Sequence, residues 1–444
     1  MKKKKVLLAK LLILLLCIFI GIILYVRYYN TKPFIKDVKY SDKYNKDRSK
    51  DVTLYIKKYN SNPIYCKFIK GEEDSEYILV KNNKCTSSVI GGKYKIELMY
   101  NGDKEVIYDK EFNIDGIVDV TLENVSEYVT LGAKFNAGVK IDSIGEVDKK
   151  VTYDIDNKDV LKIDDNGNIE VVGLGKTKLT VTSSSGIKNS YDITSTNLLR
   201  LPTFDMNKDY VPCNGYSKEE VETLDKILES KVKKAGVGTR AAAVEVARFL
   251  PLEFPYLVPY FYENGRLTTN GVDGEGRYYH KGLYLGEEKE KQITNVYGGP
   301  ASWGCPLTNT DSHRIMYETY PNGFDCSGYI SWVLVNAGLD LGDIGSGITS
   351  AYDYTDVGNV QRNMYEILNN KTAKPGDLIG WDGHIAIIAA MNDENIYISE
   401  SLTNGPEMYE FNYTDPNARL YGMYEYIIDM SSNYSGDGKL KNMW

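Results

Sequence analysis

The stretch GFDCSGYISWVL, Gly323 to Leu334, places a cysteine between an aspartate and a serine where a helix is predicted to begin. Asp325 can cap that helix, and a thiol at a helix N-terminus lies at the positive end of the helix dipole, which favours the thiolate. Ser327 is small and leaves one side of the sulfur open. Cys326 is therefore a candidate nucleophile, although a buried structural thiol or half of a disulfide also fits this stretch alone.

A cysteine nucleophile needs a base, and the chain has only three histidines. His384 lies in KPGDLIGWDGHIAII, Lys374 to Ile388, downstream of Cys326. A turn at the Pro-Gly-Asp sequence starts one strand, and a glycine leaves the histidine uncrowded as the next strand begins. This order and spacing make His384 the candidate general base.

A third polar residue should hold the imidazole in one tautomer. If Ala390 pairs with Ile396, Glu400 lies diagonally across from the histidine on the same face of the sheet. A register shift of one residue would present Ser399 or Ser401 instead. The sequence alone therefore leaves both possibilities open.

The segments DCSGYISWVL and KPGDLIGWDGHIAII together resemble the NlpC-type cell-wall endopeptidases, a family of papain-like cysteine peptidases. The resemblance covers roughly residues 239–428 and implies Cys326 as nucleophile and His384 as base. The implied substrate is the peptide stem of peptidoglycan. Most members carry His, Asn or Gln at the third position, whereas Glu is similar to the related amidase/peptidase class called CHAP. We therefore prefer Glu400 to Ser399 as the orienting residue.

The same resemblance implies a tyrosine upstream of the nucleophile that helps to bind the oxyanion. Tyr260 in VPYFYENG is the first candidate and Tyr297 in VYGGPASWG the second. An insertion of about residues 266–322 separates Tyr260 from the nucleophile and must loop out and return. We predict that this insertion walls the substrate groove, and that the substrate-binding residues are Asp325, Ser327, Trp381, Asp382, Tyr297 and Trp303.

The chain has six cysteines, and its sequence contains no cofactor-binding motif. Cys66 could pair with Cys85, and Cys213 with Cys305, which would leave Cys326 without a partner. A zinc site from cysteines and a nearby histidine lacks paired short ligand spacing. We expect neither a metal nor a cofactor.

The N-terminus reads MKKKK followed by VLLAKLLILLLCIFIGIILYV, Val6 to Val26. An apolar run of about 20 residues is long enough to span a bilayer. The preceding lysines orient the N-terminus to the cytoplasm, so the rest of the chain would face the cell wall from outside. A cleaved signal peptide is the alternative, but the run is long and no A-x-A site follows.

Alternating strand patterns precede the helices. VLKIDDNGNIEVVGLGKTKLTVTSSSG, Val160 to Gly186, resembles the group 2 bacterial immunoglobulin-like (Ig-like) domains, which serve as spacers or adhesion modules. We predict a multidomain chain with an N-terminal transmembrane helix, two all-β Ig-like sandwiches and a C-terminal α+β papain-like domain. The predicted bounds are a cytoplasmic stub and anchor at 1–30, an Ig-like sandwich at 31–116, a group 2 Ig-like domain at 117–197, a linker at 198–216, a peptidase domain at 217–435 and a tail at 436–444.

The net charge of −8 argues against nucleic acid as the main partner. We predict a membrane-anchored extracellular cysteine endopeptidase that cleaves stem-peptide amide bonds of peptidoglycan, with possible surface-protein partners for the Ig-like domains. The alternatives are a CHAP-like amidase/peptidase and a non-catalytic adhesin or wall-binding protein.

Overall fold

The structure is a computed structural model. Of residues 2–9, 11, 28–30, 100, 105–114, 267–268 and 277–278 it describes the backbone alone. The residues described are 2–30, 33–41, 45, 49–58, 62–71, 75–100, 105–261, 267–268, 277–278, 281–286, 302–308, 315, 317–339, 341, 344, 357–441 and 443.

The chain begins with helix α1, Lys2–Asn30. Among the described residues, no helix has both the length and the apolar character needed to cross a bilayer. The transmembrane segment stays a prediction of the sequence.

The first β-module contains seven strands: β1 Phe34–Tyr40, β2 Lys50–Lys57, β3 Ile64–Ile69, β4 Ile78–Leu79, β5 Lys84–Val89, β6 Gly92–Tyr100 and β7 Glu105–Ile114. They form two sheets, in the orders β1-β2-β5 and β4-β3-β6-β7. Alternate residues such as Val52 and Leu54 are buried, as the two-residue period of a strand requires. The Cys66–Cys85 disulfide joins β3 of one sheet to β5 of the other.

The second β-module contains nine strands: β8 Gly116–Leu122, β9 Tyr128–Thr130, β10 Lys134–Asn136, β11 Val139–Ile144, β12 Val151–Ile155, β13 Leu161–Ile163, β14 Asn168–Val171, β15 Gly175–Ser183 and β16 Lys188–Thr196. The largest sheet has the order β12-β15-β16-β9. Asp164 fixes the turn between β13 and β14, because its carboxylate accepts from the backbone N–H groups of Asn166 and Asn168 at 2.9 and 2.8 Å. Gly167 adopts φ 80° there, so the hairpin lies where the sequence predicts it.

The C-terminal domain is built on one antiparallel sheet that positions the candidate site. Four short strands precede that sheet: β17 Leu267–Thr268, β18 Arg277–Tyr278, β19 Pro306–Thr308 and β20 Thr319–Pro321. The sheet has the order β21-β26-β22-β23-β24-β25. Its strands are β21 Asn359–Gln361, β22 Leu378–Trp381, β23 His384–Met391, β24 Asn395–Leu402, β25 Gly405–Asn412 and β26 Tyr426–Asp429.

Helices cover both faces of this sheet. They are α2 Lys218–Ala235, α3 Arg240–Arg248, α4 Cys326–Ala337, α5 Met364–Asn369 and α6 Arg419–Met423, and α3 continues as a π-helical turn, Phe249–Glu253. Apolar side chains of α2, α3 and α4 form one core with Ile385 and Ile387 of β23. Those of α5 and α6 form a second core with Ala386 and Ile388, on the opposite face. The predicted α+β domain therefore has a two-sided core.

The predicted linker and tail both pack against the C-terminal domain. Arg200 and Lys208, from the linker, donate to backbone carbonyls at the C-terminal end of the π-helical turn, at distances from 2.8 to 3.3 Å. The Cys213–Cys305 disulfide attaches the same segment to the insertion. In the tail, the Gly436 carbonyl accepts from the first N–H of α3 at 3.0 Å.

A buried ion pair connects α3 to the Pro-Gly-Asp turn. Arg240 and Asp377 are 1% and 2% exposed, and Arg240 Nη1 lies 2.6 Å from Asp377 Oδ1. Asp377 also accepts from the N–H groups of Lys374 at 2.8 Å and Met430 at 3.1 Å. The aspartate of the Pro-Gly-Asp turn therefore joins α3, β22 and the segment that follows β26.

Asp377→Asn should lower the free energy of unfolding by about 3–5 kcal/mol, because the buried Arg240 guanidinium then keeps only Asp437, an exposed carboxylate at 3.4 Å, as its counter-charge. The measurement is urea unfolding followed by tryptophan fluorescence, since all four tryptophans lie beyond residue 300. Lys371→Ala is the control: its ion pair with Asp393 is exposed and screened by solvent, so the unfolding midpoint should stay close to that of the wild type. An equal loss of unfolding free energy in the two variants would contradict a structural role for the Arg240–Asp377 pair.

Candidate active site

One end of the sheet gathers most of the predicted site residues. Two hairpins turn there, between Trp381 and His384 and between Leu402 and Gly405. We call this end of the sheet the site edge. Ser401 Oγ of β24 donates to the Phe324 carbonyl at 3.0 Å, which brings the start of α4 to the same edge.

Cys326 is the first residue of α4 and is 7% exposed. It forms no disulfide. Asp325 caps the helix, since its Oδ1 accepts from the N–H of Gly328 at 2.7 Å and from Ser327 Oγ at 3.2 Å. The sulfur therefore lies at the positive end of a twelve-residue helix, as the sequence predicts.

His384 and Glu400 are hydrogen-bonded to each other. The pair joins His384 Nε2 to Glu400 Oε2, and the two residues are 3% and 0% exposed. Glu400 occupies Nε2, which leaves Nδ1 as the ring nitrogen for a thiol. A carboxylate on one ring nitrogen and a free second nitrogen is the arrangement that a general base requires.

The register of β23 and β24 explains this contact and corrects the predicted pairing. Ala390 pairs with Tyr397 and not with Ile396. A β-bulge then absorbs one residue, so that Ile387 pairs with Ser399. Near the site edge the register is therefore the predicted one, and Glu400 lies on the same face of the sheet as His384.

Trp381 and Asp382 border the histidine. The Trp381 ring stacks on the His384 ring, with centroids 4.1 Å apart and an angle of 28° between planes. Trp381 is half-buried and Asp382 is exposed, so both can reach a bound substrate.

Tyr426 links the cysteine side of the site edge to the histidine side. Its hydroxyl donates to the Trp381 carbonyl at 2.8 Å and lies 3.5 Å from the His384 carbonyl. Burial, and then the charge of Cys326, raise the pKa of Tyr426. A Cβ at Gly380 would lie 2.3 Å from the His384 carbonyl oxygen and 3.0 Å from the Tyr426 hydroxyl, so only glycine fits there.

Tyr260 lies beside the nucleophile in space despite its distance in sequence. It forms a parallel β-bridge with Phe324, and the N–H of Phe261 donates to the Phe324 carbonyl at 3.1 Å. Gly323 permits this approach, because a Cβ there would lie 1.7 Å from the Pro259 carbonyl. The described residues on either side of the predicted insertion, Phe261 and Phe324, therefore lie next to each other.

Three predicted substrate-binding residues do not fit that role. Trp303 is 1% exposed and packs against Phe324 and Trp332, at centroid distances of 5.0 and 5.7 Å, so it is a core residue and not a groove wall. Asp325 and Ser327 are buried and satisfy each other at the helix cap. Tyr297 lies outside the described residues. Among the residues that are described, no cluster of three His, Cys, Asp or Glu side chains could hold a metal.

The sequence reading missed two tyrosines at the site, Tyr424 and Tyr426. Both come from MYEYIID, Met423 to Asp429, at the C-terminal end of the domain. Their only signal in the sequence is strand alternation in the last β-segment, which does not reveal that β26 lies beside β22.

Residues 315–401 match the family model of the CHAP domain. This segment is about a fifth of the chain and contains Cys326, His384 and Glu400. CHAP domains are cysteine- and histidine-dependent amidohydrolases or peptidases of the same papain-like superfamily as NlpC, and the match implies a hydrolase in general terms. Membership of the NlpC family itself is not shown.

Several solved structures are similar in part. The C-terminal 282-residue fragment of intimin, in complex with the intimin-binding domain of its translocated receptor, is 17% identical; the alignment covers 46% of this chain and 80% of that one, with a TM-score of 0.19. Invasin, a bacterial integrin-binding protein, is 8% identical, with 38% and 40% covered and a TM-score of 0.19. The fibronectin(III)-like modules of CbhA from Clostridium thermocellum are 12% identical, with 36% and 94% covered and a TM-score of 0.15. No curated protein sequence matches the chain.

Glu400→Gln should lower kcat of the hydrolase by about a hundredfold or more, because the amide cannot stabilise an imidazolium as a carboxylate does. Ser399→Ala is the matched control one residue away. Ser399 Oγ bonds the Ala247 carbonyl and the Tyr329 hydroxyl, both at 2.8 Å, on the other face of the sheet. That variant should lose stability but keep kcat within about threefold. The reverse order of effects would make Ser399 the third residue.

Proposed function

We propose that the chain is a cell-wall hydrolase that cuts amide bonds of peptidoglycan stem peptides, with Cys326 as nucleophile and His384 as general base. The observation that carries this proposal is the buried His384–Glu400 pair at the edge where the helix of Cys326 begins. The CHAP match over the same residues supports it independently.

In the acylation step, His384 Nδ1 takes the thiol proton and the sulfur attacks the amide carbonyl. A C–S bond forms, and the carbonyl oxygen becomes an oxyanion. The N–H of Cys326 and the Tyr260 hydroxyl are the proposed donors to that oxyanion, a contact commonly worth about 3 kcal/mol per donor. The C–N bond then breaks, and the imidazolium gives its proton to the leaving amine.

In the deacylation step, His384 takes a proton from water as the water attacks the thioester. The C–S bond breaks, the carboxylic product leaves and the proton returns to the sulfur. Glu400 accepts from Nε2 and holds the imidazolium in both steps. The reaction is a hydrolysis and needs no redox partner.

Purified wild-type protein should release soluble fragments from purified peptidoglycan, whereas Cys326→Ala and His384→Ala should each be at least about a thousandfold slower. Mass spectrometry of the fragments identifies the bond that is cut. New peptide ends within the stem would support an endopeptidase of the NlpC type, and free glycan with an intact stem would support an amidase. If the wall stays intact and Cys326 is alkylated slowly at pH 6.5, the hydrolase proposal is wrong and the protein is a wall-binding or adhesion protein.

We also propose that the chain beyond its N-terminal helix lies outside the cell and faces the wall. Two disulfides, Cys66–Cys85 and Cys213–Cys305, support this location, because disulfides persist in oxidising compartments. The basic N-terminus before the apolar run gives the corresponding orientation. Anchoring in the membrane by this run remains a prediction of the sequence.

Protein taken from cells and denatured without reductant should present two free thiols, Cys17 and Cys326, and six after reduction. The measurement is mass spectrometry after alkylation. A membrane-impermeant maleimide applied to intact cells should label Cys326 but not the Cys326→Ala variant. Six thiols without reductant would instead point to a reducing compartment.

A further inference from the structure

The carboxylate that orients the histidine is only half satisfied. Glu400 Oε2 bonds His384, whereas Glu400 Oε1 is buried and has no hydrogen-bond partner among the described residues. A buried carboxylate oxygen without a donor is unfavourable, so a donor is expected nearby.

A suitable donor is a second buried polar atom that also lacks a partner among the described residues. The Tyr424 hydroxyl is buried and unpaired among the described residues, and Tyr424 as a whole is 3% exposed. Burial, and then the charge of Glu400, raise the pKa of Tyr424, so its hydroxyl stays protonated and can donate. Its ring also packs edge-on against Trp381, with centroids 5.4 Å apart.

We propose that Tyr424 is a positioning residue whose hydroxyl donates to Glu400 Oε1 and so fixes the carboxylate that holds His384. The inference deepens the proposed function and rests on it. Tyr424 would act twice on the base: through Glu400, which bonds the imidazole, and through Trp381, which stacks on it.

The other charged groups around Glu400 do not replace this donor. Glu407 lies directly across from Glu400 in the β24–β25 register. It has its own donors, since Tyr409 donates to Oε2 at 2.5 Å and Asn404 to Oε1 at 3.3 Å. Arg419 lowers the pKa values of Tyr424 and Tyr409 through its charge, against the larger effect of burial.

The proposal makes a specific statement about pH. A hydroxyl that donates to the carboxylate stabilises its charge, so removal of the hydroxyl strengthens the hold of the carboxylate on a proton or on the imidazolium. The base then loses its proton at a higher pH. The acidic limb of the kcat/KM profile should move upward, which a general loss of stability would not cause.

The experiment compares Tyr424→Phe, which keeps the ring and removes the hydroxyl, with Tyr413→Phe. Tyr413 is equally buried in the same core, but its hydroxyl donates to the carbonyls of Asn392 and Asp393, at 2.8 and 3.0 Å, away from the site edge. Tyr424→Phe should lower kcat about fivefold to twentyfold with little change in KM, and shift the acidic limb upward by about half to one pH unit. Tyr413→Phe should leave both the limb and kcat unchanged.

A double-mutant cycle with Glu400→Gln completes the test, since coupled residues give non-additive effects. Effects on kcat that simply multiply, or a Tyr424→Phe profile that coincides with the wild-type profile, would overturn the proposal. If Tyr424→Phe does not fold, the coupling between Tyr424 and Glu400 is measured from stability instead. The double variant should then be more stable than Tyr424→Phe alone. A double variant that is no more stable counts against the proposal. Absence of wild-type digestion would instead refute the hydrolase proposal.

Discussion

The contact between His384 and Glu400 depends on the register of two adjacent strands. A carboxylate can hold the imidazole only if β24 presents residue 400, and not a neighbour, to the face of the histidine. One bulge in β23 shifts the pairing with β24 by one residue between the far end of the strands and the site edge. The serines on either side of the glutamate are hydrogen-bonded to Ala247 and Phe324 on the opposite face. Those bonds hold the register, so packing against the helices decides which side chain the base meets.

The features that the sequence predicts well are those set by neighbours along the chain. Ser217 and Glu220 form a capping box at the start of α2, and their S-x-x-E spacing is a local sequence mark of a helix start. Asp325 caps α4, and Gly338 ends that helix in the left-handed conformation, with φ 92°. The hairpin after β13 likewise forms from side-chain bonds within five residues of each other. Short motifs also mark the cysteine at a helix start and the histidine at a strand start, whereas the glutamate depends on a strand register that the sequence leaves open.

The features that the sequence could not predict are set by contacts between distant segments. Trp303 looks like an exposed aromatic residue of a glycine-rich insertion, but the Cys213–Cys305 disulfide and the aromatic side chains of α4 draw it into the core. Tyr424 and Tyr426 reach the site only because β26 inserts between β21 and β22. The bulge in β23 has no glycine or proline to mark it, so the strand pairing was correct near the site and wrong at the far end.

The segment between the second β-module and α2, predicted to be a linker, is bonded to the C-terminal domain at several points along its length. Arg200, Lys208 and the Cys213 disulfide attach it to the hydrolase domain, and Lys234 of α2 donates back to Val125 and Ser126 of the β-module. These contacts restrict rotation of the C-terminal domain relative to the second β-module. If the proposed function holds, the active site would stay at a fixed distance from the second β-module. The enzyme would then cut cross-links in one layer of the wall and leave chemically identical bonds in other layers intact.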